Sequence, residues 1–196
     1  MLTSVELMLE KWNHFEGKEI EIEIEIAIAI VIAIEKNLSL HTDWQEKARE
    51  EVIEIFKGKN PTPDDNGIAK LKTMTMIINE TLRLYPSVVA KNRMVTRETR
   101  LGDLLLPGNI EVLIPCLVSH NDPKIWGEYA LLFKPDQFAE GVTKAAKNIM
   151  AYIPFGLGPR MCIYRHKLCD DRSDAFFLND PSTAFTLSPT YVHSPA

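Results

Sequence analysis

Apolar and polar residues alternate most strictly at positions 19–35, EIEIEIEIAIAIVIAIE, where isoleucine fills every even position from 20 to 34. A period of two puts all of those isoleucines on one face of a strand. Such a strand is long, β-prone and poorly protected at its edges, as an interaction strand would be. Wound as a helix, the same residues scatter around the cylinder and leave no clean apolar face. The stretch 19–41 is therefore read as a low-complexity, isoleucine-rich junction joining two unrelated pieces.

The rest of the chain follows a helical period more often than an extended one. Residues 1–18 form an amphipathic pattern, with Thr3 and Glu6 as a capping box and Val5, Met8, Trp12 and Phe15 on one face. Thr42 and Gln45 read as a second capping box, opening a helix whose stripe Trp44, Ala48, Val52, Phe56 ends at Gly58. Turn chemistry at 59–67, KNPTPDDNG, predicts a loop. A further helix runs from about Lys70 to Tyr85, with Met74, Ile77, Ile78 and Leu82 inward and Pro86 as its stop. Extended segments follow at 88–95 and 99–114, the second folded into a hairpin about Pro107-Gly108. Asp122-Pro123 caps a short helix through Trp126, and 129–162 is expected to be mostly irregular.

Composition narrows the class without naming it. A chain of 196 residues, 45% hydrophobic and 25% charged, suits one globular domain. A net charge of -5, with both signs interspersed, argues against a nucleic-acid partner. The three cysteines, Cys116, Cys162 and Cys169, fit reduced thiols on the cytosolic side of a membrane better than a disulfide framework. No stretch reaches the roughly 18 apolar residues of a membrane span. Glu6 and Glu10 lie where a signal peptide is cationic and then apolar, so nothing in the sequence targets or anchors the chain.

The richest chemistry lies at Phe155-Gly156-Leu157-Gly158-Pro159-Arg160-Met161-Cys162. A metal-bound thiolate needs backbone room, donors aimed at its sulfur and a nearby cation for an anionic partner. Gly156 and Gly158 supply the room, and Arg160 supplies a planar fork for a carboxylate. Upstream, Glu80 and Arg83 are three apart on one helix face and can pair. An alternative metal set is Cys162, His166 and Cys169, with His193 as a distant fourth zinc ligand, although C-x3-H-x2-C is not a standard spacing. His41 and His120 carry no pattern and read as structural.

In this order the motifs resemble the cytochrome P450 family. Residues 155–164 match its haem-ligand loop Phe-x-x-Gly-x-Arg-x-Cys-x-Gly, except that Tyr164 stands at the last glycine. INETLRLYPSV resembles its Glu-x-x-Arg helix, and Phe133-Lys134-Pro135-Asp136-Gln137-Phe138 its Phe-x-Pro-(Glu/Asp)-Arg-Phe segment, with Gln137 in the arginine's place. The resemblance runs roughly from 42 to 163 as a C-terminal haem-binding portion. Residues 164–196 form a divergent tail that returns to the pattern only at Phe185–Tyr191.

The resemblance implies a mainly α fold with a small β portion, a partial cytochrome P450 fold lacking the central oxygen-activating helix. It implies haem, iron protoporphyrin IX, with the Cys162 thiolate as the metal ligand. Arg160 and Arg93 would hold its propionates, Phe155 would shield the sulfur, and Gly156 and Gly158 would shape the loop. Glu80 and Arg83 would lock the scaffold, with Gln137 as a weakened third member. A glutamate left with one arginine is expected to cost on the order of 3–5 kcal/mol.

The implied activity is a plant-type monooxygenase reaction. It inserts one oxygen atom of O2 into a small organic substrate, of terpenoid or hormone-like class, with electrons from an NADPH-dependent flavoprotein reductase. The family works at the cytosolic face of the endoplasmic reticulum membrane, through an anchor not found in this chain, which leaves a cytoplasmic location open. No catalytic residue is assigned, because no acid–alcohol pair occurs in a long apolar helix. Tyr164 and the charged run after it point to impaired turnover. The rival reading is a non-catalytic remnant or a Cys/His zinc module.

Overall fold

The computed structural model describes residues 22–57, 67–146 and 148–156. Expectations for residues 1–18, for Gly158, Arg160, Cys162 and Tyr164, and for the alternative zinc set lie outside them. The architecture is mainly helical with a small β portion.

The isoleucine repeat is helical. Helix α1 spans Ile22–Leu40, against the strand expected from its period of two. Ile30, Ile34 and Leu38 recur every fourth residue and are buried, whereas Ile32 is 43% exposed. An alternating repeat contains an i, i+4 series within it, and burying that one series is enough to stabilise the helix despite its β-prone composition. Asn37 sits among the buried residues and donates from Nδ2 to the Ala33 carbonyl (2.9 Å) and to Thr81 Oγ1 (3.3 Å).

Helix α2, Thr42–Phe56, buries Trp44, Ala48, Val52 and Phe56, the stripe expected from the sequence. The expected capping box does not form. His41 is the capping residue, Thr42 is already helical, and no side chain caps that end. Only His41 separates α1 from α2, so Gln45 turns inward and donates from Nε2 to the Leu38 carbonyl (3.5 Å). Lys57, at φ 51°, closes α2 in the left-handed conformation.

Helix α3, Lys72–Leu84, buries Met74, Ile77, Ile78 and Leu82. Its cap is borrowed. Leu71 offers no side-chain acceptor, and Glu51 of α2 takes the N–H groups of Thr73 (2.8 Å) and Met74 (3.2 Å). A carboxylate there satisfies orphan donors and complements the positive end of the helix.

Four strands follow: β1 (Lys91–Val95), β2 (Thr99–Leu101), β3 (Leu104–Leu106) and β4 (Ile110–Ile114). The antiparallel partners are β1 with β4 and β2 with β3. The tight turn is therefore Gly102-Asp103, where Gly102 takes φ 60°, and Pro107-Gly108 is a corner rather than the hairpin's pivot. Beyond β4 come α4 (Cys116–His120), α5 (Pro123–Trp126) and α6 (Val142–Ala145), with 3-10 turns at Pro135–Phe138 and Ile149–Ala151. Asp122 caps α5 through Lys124 N (2.9 Å), as the Asp-Pro pair predicts. Trp126, Phe138, Tyr152 and Phe155 join the core built by α1, α2 and α3.

Candidate functional site

Arg83 is fully buried on the last turn of α3, and every one of its N–H groups has an acceptor. Nε and Nη2 donate to Glu80 Oε2 (2.8 Å) and Oε1 (2.9 Å), a bidentate pair with both side chains at 0% exposure. Nη1 donates to the His120 carbonyl (2.9 Å) and to the Ala130 carbonyl, and Nη2 also reaches the Leu132 carbonyl (3.1 Å). The guanidinium lies 5.2 Å from the Trp126 ring centroid. One side chain thus gathers the end of α4 and the irregular chain at 130–132 onto α3.

Glu80 is equally well satisfied. Besides Arg83 it accepts the Lys134 N–H (2.7 Å) and Gln137 Nε2 (2.6 Å). The structure brings Glu80, Arg83 and Gln137 together. Four donors occupy the carboxylate, so Gln137 does not leave it with an orphaned lone pair. The expected penalty of a broken network therefore does not apply, and what the amide changes is the local charge, with one cation instead of two.

Phe155 is buried, and Gly156 has φ 86°, a conformation open to glycine and costly for other residues. A Cβ at Gly156 would lie 2.7 Å from Lys91 Nζ, so the tip of this β1 side chain reaches the glycine. The register pairs Lys91 with Ile114 and Arg93 with Val112, which puts both cations and both aliphatics on one face of the ladder. Arg93 is exposed there. Of the residues expected to hold haem, the described ones are Arg93, Phe155 and Gly156, and a cation on this face suits the anionic edge such a group would present. Arg93 is on β1, whose Lys91 side chain reaches Gly156. The metal and thiolate assignments at 160 and 162 lie outside the described residues. Among the described residues no group of three His, Cys, Asp or Glu side chains could hold a metal ion.

The segment just before Phe155 is tied down from three sides. Lys91 Nζ donates to the Ile153 carbonyl (3.5 Å), and Ser119 Oγ donates to the Ala151 carbonyl (3.2 Å). The Tyr152 hydroxyl lies 3.1 Å from both the carbonyl and Oδ1 of Asn79. His120 accepts the Ile153 N–H at Nε2 (3.0 Å). Lys91, Asn79 and Tyr152 were invisible as partners in the sequence, since their contacts join residues far apart along it. His120, read there as structural, has no local pattern that would reveal its acceptor role.

His120 is fully buried, and its pKa is lowered from 6.5 to about 4. Burial is the main cause, the nearby Arg83 charge adds to it, and Lys91 adds less. Below its ordinary value the unfolded chain therefore binds a proton that the folded chain refuses. This contribution to stability is complete above pH 6.5 and falls as the pH drops toward about 4. The fall amounts to on the order of 3 kcal/mol. Urea unfolding from pH 7 to pH 4 should show this slope in the unaltered chain and a shallower one, by up to one proton, in His120→Gln.

No described helix is long and apolar enough to cross a membrane. A family model described as Cytochrome P450 matches residues 27–165. The match starts inside α1 rather than at Thr42, so the isoleucine-rich helix lies within it from Ala27 onward. Cytochrome P450 CYP749A22 of Panax ginseng is 50% identical over 159 residues, which are 81% of this chain and 30% of that protein. Cytochrome P450 72A13 of Arabidopsis thaliana is 46% identical over 158 residues, and echinocystic acid 23-monooxygenase of Saponaria officinalis 44% over 160. The chain spans about 30% of the length of these curated relatives. A family model matched over most of the chain and relatives this similar show that this chain belongs to the cytochrome P450 family.

Proposed function

We propose that this chain supplies the haem-binding portion of a monooxygenase acting on a small organic substrate. The observation that carries the reading is the placement of Gly156, at positive φ, against the cationic face of β1. On this reading Gly156 would open the ligand loop beside the strand that bears Arg93. Cys162 would ligate the iron as a thiolate, Arg160 and Arg93 would take the propionates, and Phe155 and Gly158 would shape the loop around the sulfur. Haem, when bound, supplies the activation of dioxygen.

Relatives named for echinocystic acid, 7-deoxyloganic acid and 11-oxo-beta-amyrin favour a terpenoid substrate class. By family, electrons come from an NADPH-dependent flavoprotein reductase at the cytosolic face of the endoplasmic reticulum. Tyr164 would restrain this chain's function, because it puts a phenol where the family's motif has only the hydrogen of glycine. Overpacking of that kind costs about 1–3 kcal/mol.

Haem titration followed by absorbance tests the proposal. The unaltered chain should take up one equivalent and, when reduced under carbon monoxide, give the red-shifted band of a thiolate-ligated iron. Tyr164→Gly should bind haem about tenfold more tightly as the overpacking is relieved. A chain that takes up zinc but no haem would contradict the reading.

A further inference from the structure

The ties on residues 151–153 differ in kind. Lys91 and Ser119 give protons to carbonyls of this segment, and Tyr152 reaches outward to Asn79. The His120 imidazole instead takes a backbone proton from it, that of Ile153, while the Ala151 N–H goes to the nearby Asn148 carbonyl. With Nε2 accepting, the ring's single proton sits on Nδ1, which has no partner among the described residues. The ring also stacks on Tyr152, with centroids 5.6 Å apart. Through its own carbonyl the same residue receives Arg83 Nη1. His120 therefore joins the buried arginine lock to the backbone that leads into Phe155 and Gly156.

We infer that His120 is a positioning residue: its Nε2 lone pair fixes the Ile153 peptide and so sets how Phe155 and Gly156 enter the loop that runs to Cys162. The inference rests on reading that loop as the haem-ligand loop. A lone pair at Nε2 exists only on the neutral ring, since an imidazolium donates from both nitrogens. The surroundings enforce neutrality. Arg83 faces the ring from α3 and Lys91 from β1, and Glu80 answers only the first of them directly. Two loop residues separate Ile153 from Gly156, so a rotated peptide at 153 is felt at the positive-φ turn.

The test compares His120→Leu, which removes the acceptor, with His120→Gln, whose amide oxygen can reach the position of Nε2. In the full-length chain without haem, amide exchange at Ile153 should quicken roughly tenfold in His120→Leu, one hydrogen bond's worth, and return toward the unaltered rate in His120→Gln. Amides in the middle of α3, such as Ile78, should stay protected in both. With haem added, the thiolate band of the reduced carbon monoxide complex should broaden or shift in His120→Leu and be restored in His120→Gln. The inference is overturned if Ile153 exchange is unchanged in His120→Leu, or quickens only in step with Ile78, or is not rescued by glutamine. Failure of the unaltered chain to take up haem counts against the functional reading alone, because exchange at Ile153 is read without haem.

Discussion

Arg83→Ala should destabilise the folded chain by about 3–5 kcal/mol, the cost of leaving a buried ion without its partner. The site explains the size of the effect. Removing the guanidinium strips two hydrogen bonds from the Glu80 carboxylate at 0% exposure and leaves it the Lys134 and Gln137 donors only. It also leaves the carbonyls of His120, Ala130 and Leu132 without the donor that gathers them. Arg83→Lys should recover little of the loss. An ammonium has three donors on one nitrogen and cannot span a carboxylate and three carbonyls as the fork does. Urea unfolding monitored by tryptophan fluorescence measures both variants, and a loss under about 1 kcal/mol for Arg83→Ala would mean the pair is not buried as described.

Leu38→Ala should cost about 2–5 kcal/mol, while Ile32→Ala should stay within about 0.5 kcal/mol. Leu38 is 0% exposed on the stripe that packs α1 into the core, and Ile32 lies off that stripe at 43%. The contrast separates two views of the repeat. A spacer between unrelated pieces would tolerate either change. An integral helix responds to one and not the other, and its response should include loosening of the neighbouring Asn37–Thr81 contact. Equal, small effects from both substitutions in the same urea experiment would contradict the helical assignment.

The parts of the fold that a sequence shows well are those held by local periodicity. The stripes of α2 and α3 and the Asp122-Pro123 cap can be read from spacing alone, because each is decided within a few turns of chain. The three-residue spacing of Glu80 and Arg83 gives their pairing for the same reason. The isoleucine repeat defeats this reading, since a period of two contains an i, i+4 series and only tertiary packing chooses between them. Non-local partners were equally hidden. Pairing of β4 with β1 rather than β3 depends on how 107–109 turns the corner, and the Glu51 cap on α3 joins residues 22 apart in the sequence. The hydrogen bonding of Glu80 could not be counted from its side-chain neighbours, because the Lys134 backbone N–H supplies one of its four donors. His120 shows the same limit, as its acceptor role depends on a peptide 33 residues away.

The central proposal is that Cys162 would ligate haem iron as a thiolate, and one comparison tests it most directly. Haem is titrated into the unaltered chain and into Cys162→Ser, and each is reduced under carbon monoxide. The account predicts a thiolate-type band in the first and its complete loss in the second, with any residual haem binding weakened at least about tenfold. Identical spectra and affinities for the two chains would contradict it.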